Sequence, residues 1–136
     1  MTEGALQILQ QYQDELKNDC AIDQLNMKDR SLEVITIKHK WAGIQLRHKI
    51  ELSRLEKGRN KAVDIIAEKL VPKLELNVSK VAIRKQAEKD SSIVSIDDKI
   101  DDLKIILEYL EKVEKIVHSM TWDIKNIVDM VKLETQ

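Results

Sequence analysis

Phenylalanine is absent from this 136-residue sequence, and the chain holds one proline, three glycines, one cysteine and four aromatic side chains. Few breakers and few aromatics, set beside abundant Lys, Glu, Leu and Ile, describe a mostly helical chain with elongated or coiled-coil-like packing. The lone Cys20 cannot build an internal disulfide framework and suits a cytosolic setting. No apolar run approaches the roughly 20 residues of a membrane span, so no membrane partner is expected. The first residues lack the basic start and apolar core of a secretion signal. His39, His48 and His118 have no partner at a metal-binding spacing, and no glycine-rich loop is present to cradle a phosphate. Asp97, Asp98, Asp101 and Asp102 are better read as acids paired with a helix dipole than as a divalent-metal site. No nucleophile with a base can be assembled. The expectation is a protein without catalysis, metal or cofactor.

What is present is segregated charge. The formal net charge is -1, yet residues 1–37 sum to -4, residues 38–61 to +6, residues 62–89 to +2 and residues 90–136 to -5. The basic stretch Lys38 to Lys61 holds eight Lys or Arg against two Glu. On a helix Lys40, Arg47, Arg54 and Lys61 recur every seven residues, with Lys57 beside them, and span about 30 Å. The opposite face carries Trp41, Ile44, Leu52, Leu55, Val63, Ile66 and Leu70. Such a helix buries one side and presents cations on the other, which suits a polyanion with regularly spaced phosphates. Gly58 sits near this line, where a missing side chain either admits a ligand backbone or is simply tolerated. Trp41 falls on the apolar face with Ile44, which favours core packing over base stacking. Arg59 projects into the apolar stripe, so it either snorkels or pairs with an acid of another helix or subunit.

The expected fold is all-α and a single domain over residues 1–136. Helices of residues 1–89 would include the basic helix 38–61, and residues 90–136 would form a coiled-coil-like oligomerisation region. Leu6, Leu9, Tyr12 and Leu16 predict a short amphipathic helix over 3–18, followed by a break at 19–23. Residues 24–30 could add a turn. The stretch 31–37 alternates like a strand but leads into the long helix, which Pro72 should stop at about Leu70. A further helix is expected over roughly 73–89, carrying Leu74 and Val78, then a turn at Asp90 to Ser92. Ser95 is placed as an N-cap with Asp98 three residues on. Ile96, Ile100, Leu103, Leu107, Leu110, Val117 and Met120, with Ile106 and Val113, form a heptad seam expected to drive self-association as well as packing within the subunit. Thr121 would cap a last helix in which Trp122 is a packing anchor.

Three stretches together resemble the UvsY-like phage recombination mediators. They are Asp14-Glu15-Leu16-Lys17 with Asp19 and Ile22-Asp23; Lys40-Trp41 with Leu55-Glu56-Lys57; and Lys89-Asp90, Ile93, Val94, Ile96-Asp97 with Trp122-Asp123-Ile124-Lys125-Asn126-Ile127. The resemblance covers nearly the whole chain. It implies single-stranded DNA binding, a homo-oligomeric ring of about six or seven subunits, and loading of a RecA-like recombinase onto strand coated by single-strand-binding protein. It also implies a location in the cytoplasm of the infected host cell, with DNA binding in the basic helix and self-association toward the C-terminus. One departure matters. The family follows its basic helix with an Arg-rich end and a Tyr-Tyr-Gly-like element, whereas residues 61–72 here contain no tyrosine pair and include Asp64. The candidate DNA-binding residues are therefore Lys40, Arg47, Lys49, Arg54, Lys57, Arg59 and Lys61. The competing expectation is a structural helical scaffold or adaptor whose basic stripe meets an acidic end of a neighbouring subunit.

Overall fold

The computed structural model describes residues 1–23, 25–73 and 78–135; Gln24 and Leu74, which fall within two of the expected helical stretches, lie outside them. The chain forms α1 (Glu3–Cys20), α2 (Met27–Leu70), a 3-10 turn (Val71–Lys73), α3 (Lys80–Ala87) and α4 (Ser91–Glu134). No strand occurs among the described residues. Stretch 31–37 is helical because its alternation coincides with a helical step: Val34, Ile37, Trp41 and Ile44 bury one side of α2.

Local chemistry explains the boundaries. The Thr2 hydroxyl accepts from Ala5 N–H at 3.2 Å and opens α1. At the far end, the Arg30 guanidinium donates to the carbonyls of Asn18 and Ala21 at 2.8 and 3.2 Å. The Asn18 carbonyl also accepts from Ala21 N–H at 3.4 Å and the Ala21 carbonyl from Asn26 Nδ2 at 2.9 Å, so several donors close this helix end. Asp23 Oδ1 accepts from the N–H groups of Leu25 and Asn26, which fixes the turn into α2. Pro72 then sits in the 3-10 turn directly after α2, where its missing N–H ends the helical hydrogen-bond ladder, although Val71 before it still holds helical backbone angles.

Three expected boundaries move. The helix anticipated over 73–89 is shorter, because Ser79 caps it: its hydroxyl accepts from Ala82 N–H at 3.2 Å, and Val78 precedes the helix. Ser95 is not an N-cap. Asp90 takes that role, its carboxylate accepting from Ser92 N–H at 2.9 Å and Ser92 Oγ at 2.6 Å. These bonds also hold the Asp90 pKa below its ordinary value. The aspartates at 97–102 consequently lie beyond the first turn, where the helix dipole acts. Finally, Thr121 caps nothing, since α4 continues unbroken to Glu134.

α2 and α4 have 44 residues each, about 66 Å of helix, and they pack antiparallel. Val34 lies by Ile124 and Val128, Trp41 by Leu110 and Val117, and Arg59 by Asp97. α1 lies along one flank and starts where Thr2 Oγ1 donates to Asp102 at 2.9 Å. The larger core joins α1, α2 and α4; a smaller one gathers Val63, Ala87 and Ile93. The α4 seam is not the exposed self-association surface that its pattern suggests. Ile100, Leu103, Ile106, Leu107, Leu110, Val113, Val117 and Met120 are buried within the subunit, and Ile96 is half-buried against the smaller core. A heptad seam satisfies any apolar partner helix, and α2 of the same chain supplies one. Apolar residues left outside include Leu32, Ile35, Leu46, Ile50, Ile105, Ile116, Trp122 and Met130.

Gly43 lies in the middle of α2 with nothing within 4 Å of the position a Cβ would take. Gly43→Ala should stabilise the fold by about 1 kcal/mol, read as a rise in thermal midpoint at fixed protein concentration.

Candidate nucleic-acid interface

The seven candidate cations divide into three groups. Lys40 and Arg59 are neutralised inside the subunit. Lys40 Nζ bonds Asp19 Oδ2 at 2.8 Å and lies 3.3 Å from Glu15 Oε2, both on α1. Partial burial alone would lower its pKa, but the hydrogen bonds and charges of Asp19 and Glu15 outweigh it and leave the pKa raised. Arg59 reaches across to α4, where its guanidinium bonds both Asp97 oxygens, with Nη1 also 3.9 Å from Glu88. That settles the odd position of Arg59 within the apolar stripe: it pairs with an acid of another helix. Lys49 belongs to the second group, since it faces α4 and lines a groove with Gln45, Glu111 and Lys115.

The third group is Arg47, Arg54, Lys57 and Lys61. All are exposed, and none forms an ion pair among the described residues. Arg47, Arg54 and Lys61 follow one line of α2 at steps of about 10 Å, with Lys57 alongside. Beside them Leu46 and Ile50 stand exposed. The sequence reasoning misses both, although each is an apolar residue off the buried stripe, which is the signal that marks them. Guanidinium and ammonium groups in this array attract phosphates without reading bases.

Behind the line, α1 is held to α2 by an aromatic knot. The Trp41 and Tyr12 rings meet edge to face at 5.8 Å between centroids. Trp41 is 3% exposed and its Nε1–H donates to Asp19 Oδ2 at 2.9 Å, so it packs in the core and cannot stack on a base. The Tyr12 hydroxyl lies 2.7 Å from His48 Nε2, and burial raises the Tyr12 pKa despite the opposing charge of Arg47. Trp122 is the reverse case. Expected as a packing anchor, it is 63% exposed in mid-α4, with Lys125 Nζ 5.1 Å from its ring centroid. No cluster of His, Cys, Asp and Glu among the described residues could hold a metal ion. No described helix is long and apolar enough to cross a membrane.

The geometry defines an all-helical protein that presents a line of unpaired cations on one long helix. The sequence matches, over residues 15–135, the family described as recombination, repair and ssDNA binding protein UvsY. The chain belongs to the UvsY family. A crystal structure of the bacteriophage T4 recombination mediator protein UvsY superimposes with a TM-score of 0.78 at 21% identity, covering 93% of this chain and 98% of that one. A second lattice form of the same T4 protein gives 0.76 at 20% identity, covering 94% and 98%. At these identities the likeness establishes the fold. Comparison with curated proteins brings no match.

Asp19 serves two partners, and its loss would leave the buried Trp41 N–H without an acceptor. Asp19→Ala should destabilise the protein by about 1–3 kcal/mol. Urea unfolding followed by circular dichroism measures it; an unchanged midpoint would remove Asp19 from its assigned role.

Proposed function

We propose that this chain is a non-catalytic recombination mediator that binds single-stranded DNA along Arg47, Arg54, Lys57 and Lys61. It does so as a homo-oligomeric ring, and it promotes loading of a RecA-like recombinase onto strand coated by single-strand-binding protein, in the cytoplasm of an infected host cell. The observation that carries the reading is that these four cations are exposed and unpaired, while Lys40 and Arg59 are neutralised within the subunit. Family membership supports the DNA-binding and recombination parts. A ring would set several copies of a weak phosphate site side by side and raise avidity without any further interaction. Because the heptad seam is consumed internally, subunit contacts fall to apolar residues outside it.

A structural scaffold is the second reading, favoured by the exposed Leu46 and Ile50 beside the cations. There the α2 face would lie against an acidic end of a neighbouring subunit, and DNA affinity would be negligible at moderate salt.

Anisotropy with labelled oligo-dT across a salt series, with light scattering on the same samples, separates the two. The mediator reading expects the double variant Arg54→Ala, Lys61→Ala to flatten the slope of log K against log salt, with the oligomer intact. The change should be about 0.7 for each phosphate that is no longer neutralised. Dissociation of that variant into monomers would make the stripe a subunit interface. Lys40→Ala should leave the salt slope unchanged, because its charge is already spent on Asp19 and Glu15.

A further inference from the structure

α1 covers one flank of the α2–α4 pair. Among the described residues the opposite flank is covered at one end, where α3 lies along α2. Ala42, Lys49, Asn60 and Ala67 are spaced by seven and eleven residues and so share one line of α2. Asn60 and Ala67 meet α3. Ala42 and Lys49 instead border an open groove between α2 and α4. From Ser31 to Lys49 this groove runs about 27 Å, room for about five turns of helix.

The groove has a distinct chemistry. Its floor is apolar, formed by Val34, Trp41, Leu110, Val117 and Ile124. Its rims carry the lysines 38, 49, 115, 125 and 132 against three acids, Glu111, Glu114 and Asp129. None of the five lysines forms an ion pair among the described residues. Ile35 on the α2 rim is 70% exposed. On α4, exposed Trp122 shares a face with Lys125 and Asp129, three and seven residues away. Large apolar residues at the mouth of a groove mark interaction sites, and tryptophan is a frequent anchor in them.

We propose that this groove docks an acidic amphipathic helix of a partner protein. The α3 end of the same flank already accepts a helix. α3 is basic, with Lys80, Arg84 and Lys85, and its Arg84 Nη1 pairs with Asp64 of α2 at 2.7 Å. Farther along, the rim changes sign, so the charge of the fitting helix changes with it. An apolar stripe would seat on Trp41 and Val117 while glutamates or aspartates reach the rim lysines, the helix-in-groove mode of recognition. Nucleic acid fits less well, because its charged backbone has nothing to set against the apolar floor.

The test uses the full-length protein and a fluorescein-labelled helical peptide of about eighteen residues, with leucines at three- and four-residue steps and glutamates elsewhere. A control peptide carries lysine in place of glutamate. By anisotropy the acidic peptide should bind and the basic one should not. Trp122→Ala and Lys125→Glu should each weaken binding at least about tenfold, with Arg54→Ala indistinguishable from the parent and light scattering the same for all. Equal binding of both peptides, or none of the acidic one, overturns the proposal. So does dissociation of the Trp122→Ala assembly, which would assign the groove to a second copy, or displacement of the acidic peptide by oligo-dT from the Arg54→Ala variant. Oligo-dT affinity of the parent is scored separately, so the fate of this groove and that of the DNA-binding face are read independently.

Discussion

A helix of 44 residues keeps a fixed course in water only if another surface takes up its apolar side, since most helical stability in proteins comes from packing rather than propensity. In this chain that surface is the heptad face of α4. Leu110, Val113, Val117 and Met120 are nearly fully buried, at about 1.5–3 kcal/mol for each large aliphatic side chain removed from water. Everything functional about α2 depends on this pairing. With its core side clamped along α4, the helix holds its outward side as a straight edge, and side chains seven residues apart stay on that edge. A looser helix would scatter Arg47, Arg54 and Lys61 around its circumference.

Acids on α1, α2 and α4 complete the sorting. Asp19 and Glu15 take Lys40, Asp97 takes Arg59, and Asp64 takes Arg84. Exposed ion pairs of this kind contribute little stability, typically below about 1 kcal/mol. Their larger effect is on the field outside the protein. Lys40 and Arg59, which point at neighbouring helices, are cancelled by their acids, and Arg47, Arg54, Lys57 and Lys61 on the solvent side of α2 are not. A chain with a net charge of -1 thereby keeps a concentrated positive face along α2, of the kind that steers association with a polyanion more than net charge would suggest.

Much of this is legible in the sequence, and the failures have physical reasons. Periodicity locates most of α2 and the burial of Trp41, because both depend on spacing along one helix, and Pro72 marks its end. Spacing puts Arg59 in the apolar stripe but does not decide between snorkelling and an acid partner, and α2 starts earlier than its pattern, at Met27. Caps are harder. Ser95 and Asp90 both carry suitable oxygens, and which one caps depends on where the preceding helix stops. Thr121 looks like a start signal, yet Val117, Met120 and Ile124 run straight through it on the buried side. The sharing of the α4 seam between the subunit and an oligomer is not legible for a deeper reason. A heptad pattern states that an apolar neighbour exists but not which chain supplies it. Lys49 shows the same limit for charge: it is as basic as Arg47 in the sequence, but two residues of helical rotation turn it toward the α4 groove.

That rotation has a consequence for how two ligands would share the protein. Arg54 and Lys49 are five residues apart, a net rotation of about 140° around the helix axis. The cation line and the groove therefore occupy different sides of α2, the first toward solvent and the second toward α4. A strand held along Arg47, Arg54 and Lys61 leaves the groove uncovered, so occupancy of the two sites need not be exclusive. Yet both are built on the same straight helix and share its packing against α4. Two separate faces fixed to one rigid element would let a strand on the cation line and a helix in the groove be held together, with neither released before the other is bound.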